Sequence, residues 1–190
     1  MADSIKNGSY EQIKEYIDTN FIKSKKGKAK GVTQLLLQID RLNNNCQAIE
    51  DFKKIGLDKS RFIIFPVIIT KDFSFNVNGI NHYLNNQFKK EIKSKGYPFF
   101  LITDLILVDL KSLMDWSDDL VTDKITLPSL LYNYLLKISY FKEATTKENG
   151  SKSVLDSLGS FSHLMIPKEN RIITETKEFQ EILDRLKLEK

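Results

Sequence analysis

The segment Arg61-Phe62-Ile63-Ile64-Phe65-Pro66-Val67-Ile68-Ile69-Thr70 restricts the fold more than any other. A strand with one wet face would alternate apolar and polar residues. This run is nearly unbroken and rich in β-branched side chains, so it reads as a strand covered on both faces. Pro66 has no N–H to donate to a ladder, and belongs at a bulge or where that side of the strand is unpaired. After a polar loop over residues 71–78, Ile80, Tyr83, Leu84, Phe88 and Ile92 recur at helical spacing, and the pattern ends near Gly96. A second apolar stretch, residues 99–110, holds one or two strands interrupted around Asp104. Strand, helix and strand in that order predict a βαβ crossover.

Helices are expected on either side of this unit. Ser9 with Gln12 three residues later has the form of a capping box, and Tyr10, Ile13, Tyr16, Ile17 and Phe21 continue it into a helix over about 9–22. Val32, Leu35, Leu36, Ile39 and Leu42 mark the buried stripe of a second helix, which Asn43-Asn44-Asn45 is expected to break. Residues 48–55 read as a short third helix closed by Gly56. Asp109, with Ser112 three residues on, predicts the cap of a short helix over 110–116. From Ile125 onward the pattern is mostly helical, with Pro128 tolerable in a first turn and a final stripe of Phe179, Ile182, Leu183 and Leu186. The expected class is therefore α/β: a small mixed sheet flanked by helices, with a mainly helical C-terminal part. An α/β core over 1–124 and a helical extension over 125–190 are expected to pack as one continuous domain.

At 190 residues, with 41% apolar content, the chain has enough material for a substantial core. Cys46 is its single cysteine, which rules out an intrachain disulfide and a thiolate zinc site and suits a reducing compartment. No apolar run approaches the length of a membrane span, and the first residues lack the apolar core of a signal peptide, so a cytoplasmic protein with no membrane partner is expected.

The net charge is only +4, so attraction to a polyanion has to come from local clustering. Such a cluster exists. Lys23, Lys25, Lys26, Lys28 and Lys30 fall within eight positions, and no acid occurs from residue 19 to residue 39. The run leads directly into the second helix, where Gln34, Gln38 and Arg41 share the face opposite the buried stripe. Those eight residues are the candidate nucleic-acid contacts, with DNA as the candidate partner. A solvated surface loop is the plainer account of a lysine run taken alone.

Elsewhere the chemistry is sparse. Asp104 and Asp109 lie near strand ends, where α/β proteins place ligands, but a turn and a helix cap account for both. Asp115, Asp118, Asp119 and Asp123 surround Trp116 without the spacing of a calcium loop. His82 and His163 have no partner at ligand spacing, no metal site is expected, and nucleophile elbows and phosphate loops are absent. Gly79-Ile80 opens a helix whose free N–H groups could meet an anion.

Four stretches carry a resemblance: Lys28-Ala29-Lys30-Gly31-Val32-Thr33-Gln34-Leu35-Leu36, Phe65-Pro66-Val67-Ile68-Ile69-Thr70, Val77-Asn78-Gly79-Ile80-Asn81-His82-Tyr83-Leu84-Asn85, and Leu105-Ile106-Leu107-Val108-Asp109-Leu110. In this order they resemble the C-terminal part of the restriction-endonuclease-like, PD-(D/E)XK-type nuclease domain of large bacterial proteins. The resemblance implies a partial restriction-endonuclease-like core, with Gln34 or Gln38 as the glutamine on the helix beside the site. It would place the catalytic acid-spacer-lysine strand just upstream of Ser9, where residues 1–8 hold no such strand. What it implies is a truncated reading frame, a subunit completed by a partner, or a domain kept for binding. Catalytic residues are not assigned, and Mg2+ enters only if a partner or an upstream segment completes the site. The alternative is a protein-interaction or structural domain that forms a homo- or hetero-oligomer through an exposed sheet edge.

Overall fold

The computed structural model describes residues 9–22, 28–45, 58–71, 75–144 and 158–165. Within them the chain forms α1 (Tyr10–Ile17) with a π turn (Asp18–Ile22), α2 (Gly31–Asn45), β1 (Ile63–Ile64), β2 (Val67–Thr70), α3 (Ile80–Ile92), β3 (Leu101–Ile102), β4 (Ile106–Asp109), α4 (Leu110–Asp115), α5 (Ser117–Val121), α6 (Leu127–Ala144) and α7 (Phe161–Leu164). The class is mixed α/β. The single small mixed sheet expected from the sequence is replaced by two two-stranded parallel sheets, β1 with β3 and β2 with β4. The division falls at Phe65-Pro66. There the apolar run breaks into two strands, because a residue without an N–H cannot carry the ladder through.

The chain sorts into two compact units, one of Met1–Ile68 and Tyr83–Leu105, the other of Ile69–His82 and Ile106–Lys190. In the first, β1 and β3 pair with Ile63 opposite Leu101 and Ile64 opposite Ile102. Parallel strands need a long crossover, and α3 lies within it. Leu84 and Phe88, at 0% and 1% exposure, are the buried stripe of α3 in this unit, each contributing about 1.5–3 kcal/mol of apolar burial. Phe62 stacks on Phe99 at 6.3 Å. Asn85 is buried, and its Oδ1 accepts from the Leu105 N–H at 2.9 Å while its Nδ2 donates to Asp104 at 3.0 Å.

The capping box at Ser9 and Gln12 forms with both reciprocal hydrogen bonds. α2 packs on the π turn, burying Val32, Leu36 and Ile39 together with Ile17 and Phe21. The asparagine triplet does not break α2, which runs through Asn45. Asn43 is half-buried, and its carbonyl accepts from Lys59 Nζ, so the last turn is held by tertiary contacts that outweigh the weak helix preference of asparagine. The helix expected over residues 48–55 and the final amphipathic helix lie outside the described residues.

In the second unit β4 is buried at all four positions. α4 follows it directly and α7 packs on it. Tyr134, fully buried on α6, packs its ring against Phe161 at 5.1 Å and donates its hydroxyl to the Gly159 carbonyl at 3.0 Å. Trp116 donates its indole N–H to the Met165 carbonyl at 2.8 Å. Thr126 caps α6 through the Ser129 N–H at 3.3 Å, which leaves Pro128 in the first turn, where its missing N–H is not needed.

Candidate functional site

The lysine run joins α1 to α2, and the described residues fix how it ends. At its start the π turn is tied by Asn20, whose amide donates to the Tyr16 carbonyl at 2.8 Å. At its end Gly31 takes φ +46°, and a side chain there would meet the Phe21 carbonyl oxygen at 2.5 Å. The close approach of Gly31 to the Phe21 backbone holds the two ends of the run together. Thr33 reinforces the base, donating its hydroxyl to the Ile22 carbonyl at 2.7 Å.

Of the residues named from the sequence, Lys28 is exposed and Lys30 half-buried, while Gln34, Gln38 and Arg41 are all exposed on α2. Lys23, Lys25 and Lys26 lie outside the described residues. The first turn of α2 contains no acid. The two acids that bracket the acid-free stretch are both engaged. Asp18 accepts from Lys14 at 3.3 Å and from the Tyr83 hydroxyl at 2.6 Å. Asp40 accepts from Lys95 at 2.6 Å and also from the Tyr97 hydroxyl. The Lys95 hydrogen bond, with that of Tyr97, holds the Asp40 carboxyl below its ordinary range, and burial followed by the Asp18 hydrogen bond raises the Tyr83 phenol. Each carboxylate is thus matched to a lysine outside the run, which leaves the positive charge of Lys28, Lys30 and Arg41 as the local excess.

A second site lies in the other unit. Asn76, Asn78, Asp109, Lys111, Ser112, Asp115, Ser160, Ser162, His163 and Met165 line an open cleft of about 480 Å³. Asp109 is buried, and its carboxylate accepts from Ser112 N–H at 2.9 Å, Ser112 Oγ at 2.6 Å and Asn76 Nδ2 at 3.2 Å. The helix cap expected at Asp109 is therefore present, extended by a hydrogen bond from outside the helix. The order Asp109-Leu110-Lys111, unremarked in the sequence reading, has an acid, a spacer and a lysine at the end of a strand. Its geometry is that of a cap: Asp109 serves its own helix, and Lys111, 77% exposed, faces Asp115 at 3.6 Å.

No family model, curated protein or solved structure matches the chain.

The remaining candidates resolve by their contacts. Asp104 pairs with Lys89 at 2.7 Å. Asp119 pairs with Lys124 at 3.4 Å, and among the described residues no three His, Cys, Asp or Glu side chains converge on a point where a metal ion could sit. His82 and His163 are exposed, the latter on the rim of the cleft. The Gly79 N–H, which by sequence could meet an anion, donates to the Leu158 carbonyl at 2.8 Å. No helix among the described residues is long and apolar enough to cross a membrane. The buried asparagines of α3 escaped the sequence reading: Asn81 Oδ1 accepts from the Leu107 N–H at 2.6 Å, as Asn85 does from Leu105. Their spacing of four on a helix facing a strand was the available signal.

Proposed function

We propose that the chain binds nucleic acid through the lysine run and the exposed face of α2, as a nuclease-like domain or subunit that is not catalytic by itself. The observation that carries this reading is the run of Lys28 and Lys30 into a helix face of Gln34, Gln38 and Arg41, with Asp18 and Asp40 at its borders already paired elsewhere. A phosphate backbone is the ligand chemistry that such a surface attracts, because each lysine or arginine that neutralises a phosphate releases a condensed counterion. The resemblance to the PD-(D/E)XK domains is in keeping with this, and the cap geometry of Asp109 favours binding over catalysis. Fluorescence anisotropy with short duplex and single-stranded DNA, at a series of salt concentrations, tests it. About five phosphate contacts correspond to a slope near −4.5 in log affinity against log salt for duplex DNA. Changing Lys23, Lys25, Lys26, Lys28 and Lys30 to glutamate is expected to abolish binding. Binding indifferent to salt, or to those five changes, would overturn the reading.

A second reading, oligomer formation through a sheet edge, is favoured by the two sheets having two strands each among the described residues, which leaves each of those strands with an unpaired side there. Ile69 on β2 is 57% exposed. Light scattering across a hundredfold concentration range would show a dimer if this reading holds, and a constant monomer mass would dismiss self-association.

A further inference from the structure

Helical positions 34, 37, 38 and 41 fall on one face, opposite the stripe of Val32, Leu36 and Ile39 that is at most 8% exposed. That outer face consists of Gln34, Leu37, Gln38 and Arg41, with Leu37 44% exposed between the two glutamines. A surface that meets only phosphates can use cations, hydroxyls and amides, but it has no use for an exposed leucine. Two amides with a leucine between them offer a different chemistry: a glutamine side chain presents a donor and an acceptor side by side, matching adenine N6 and N7, and apolar carbons match the C5-methyl of thymine.

We infer that this face of α2 lies in the major groove of B-form DNA and reads A·T base pairs, with Gln34 and Gln38 on adenine edges and Leu37 on a thymine methyl. Arg41 and Lys30, at the two ends of the face, hold the flanking phosphates. The inference rests on the nucleic-acid reading above and names the duplex and the bases it takes. At 1.5 Å per residue, Gln34 to Arg41 spans about 10 Å, the rise of roughly three base pairs. α2 contains no aromatic residue, so it has no platform on which unpaired bases could stack. The deep, narrow major groove of A-form RNA does not admit such a helix. The acid on this helix, Asp40, is held by Lys95 and Tyr97 and leaves the face positive.

The test is anisotropy over a series of salt concentrations, with affinities compared at matched salt, for four duplexes of equal length: A·T-rich DNA, G·C-rich DNA, A·T-rich DNA with every thymine replaced by uracil, and A·U-rich RNA. A preference of at least about fivefold for A·T-rich over G·C-rich DNA is expected, the lower end of one bidentate contact. Loss of the thymine methyls should weaken binding in the wild type and leave Leu37→Ala unaffected. The double variant Gln34→Ala, Gln38→Ala should bind both DNA duplexes alike with the salt slope of the wild type. All three positions are exposed, and thermal melting verifies that the variants fold. Equal, salt-steep affinity for A·T-rich and G·C-rich DNA would overturn base reading and leave phosphate binding standing. Preference for the RNA duplex would also overturn it, and failure to bind any duplex would remove both proposals.

Discussion

Replacing Gly31 with alanine isolates the contact that closes the base of the lysine run. Gly31 has φ +46°, and an added Cβ would lie 2.5 Å from the Phe21 carbonyl oxygen and 2.7 Å from its Cα. Both are backbone atoms of a residue only 6% exposed, so they cannot swing aside as a flexible side chain would. Gly96 provides the control. Its φ is +54°, yet nothing lies within 4 Å of the corresponding Cβ position. Gly96→Ala should therefore incur only left-handed strain, about 1–2 kcal/mol. Gly31→Ala adds overpacking of about 1–3 kcal/mol, for a total of about 2–5 kcal/mol. In a chain of this length 1 kcal/mol moves Tm by about 2–4 °C, so the Gly31 variant should melt well below the Gly96 variant. Urea denaturation of the two variants and the wild type measures the same difference as a free energy. Equal destabilisation by the two alanines would refute the argument, because it would leave no energetic trace of the contact with Phe21.

Asp109→Ala is expected to lose about 2–4 kcal/mol, combining a helix cap with the stranded, buried Ser112 hydroxyl; urea denaturation reads it, and a loss under 1 kcal/mol would show the carboxylate to be dispensable. Tyr134→Phe removes the hydrogen bond to Gly159 and should cost about 1 kcal/mol near neutral pH. Burial raises the Tyr134 phenol far above its ordinary value, so the unfolded chain ionises first, and the stability present below pH ~10 is lost as pH rises beyond it. Denaturation midpoints followed from pH 8 to 11 should fall less steeply in Tyr134→Phe than in the wild type, with Tyr83 and Tyr97 supplying the remaining slope because their phenols are raised as well.

Local signals translated directly into structure wherever one residue governs one hydrogen bond. Ser9 with Gln12 and Asp109 with Ser112 each act within a few residues, and each cap forms as the pattern expects, whereas Pro66, expected at a bulge or on an unpaired side of one strand, lies in a break between two strands. What the pattern does not carry is the identity of a distant partner. An apolar run is the same string whether its halves pair with one neighbour or two, so the division of residues 61–70 between two sheets was hidden. The asparagines of α2 mislead for a related reason: their intrinsic preference opposes a helix interior, but Lys59 reaches the Asn43 carbonyl. Of the candidate site, the helix face of Gln34, Gln38 and Arg41 followed from periodicity alone. The pairing of Asp40 with Lys95 did not, because the two are 55 residues apart.

Pro66 also matters before folding is complete. Four apolar residues, Phe62 to Phe65, precede it and three, Val67 to Ile69, follow it. With an apolar residue in place of the proline, positions 62–69 would form an uninterrupted β-prone segment of eight, longer than the six or seven residues that suffice for a steric zipper. With the proline, any six-residue window of that segment that could stack against a copy of itself must include a residue that cannot donate a hydrogen bond. The residue that divides the two sheets in the folded chain therefore acts, in the nascent and the denatured chain, as a gatekeeper against aggregation.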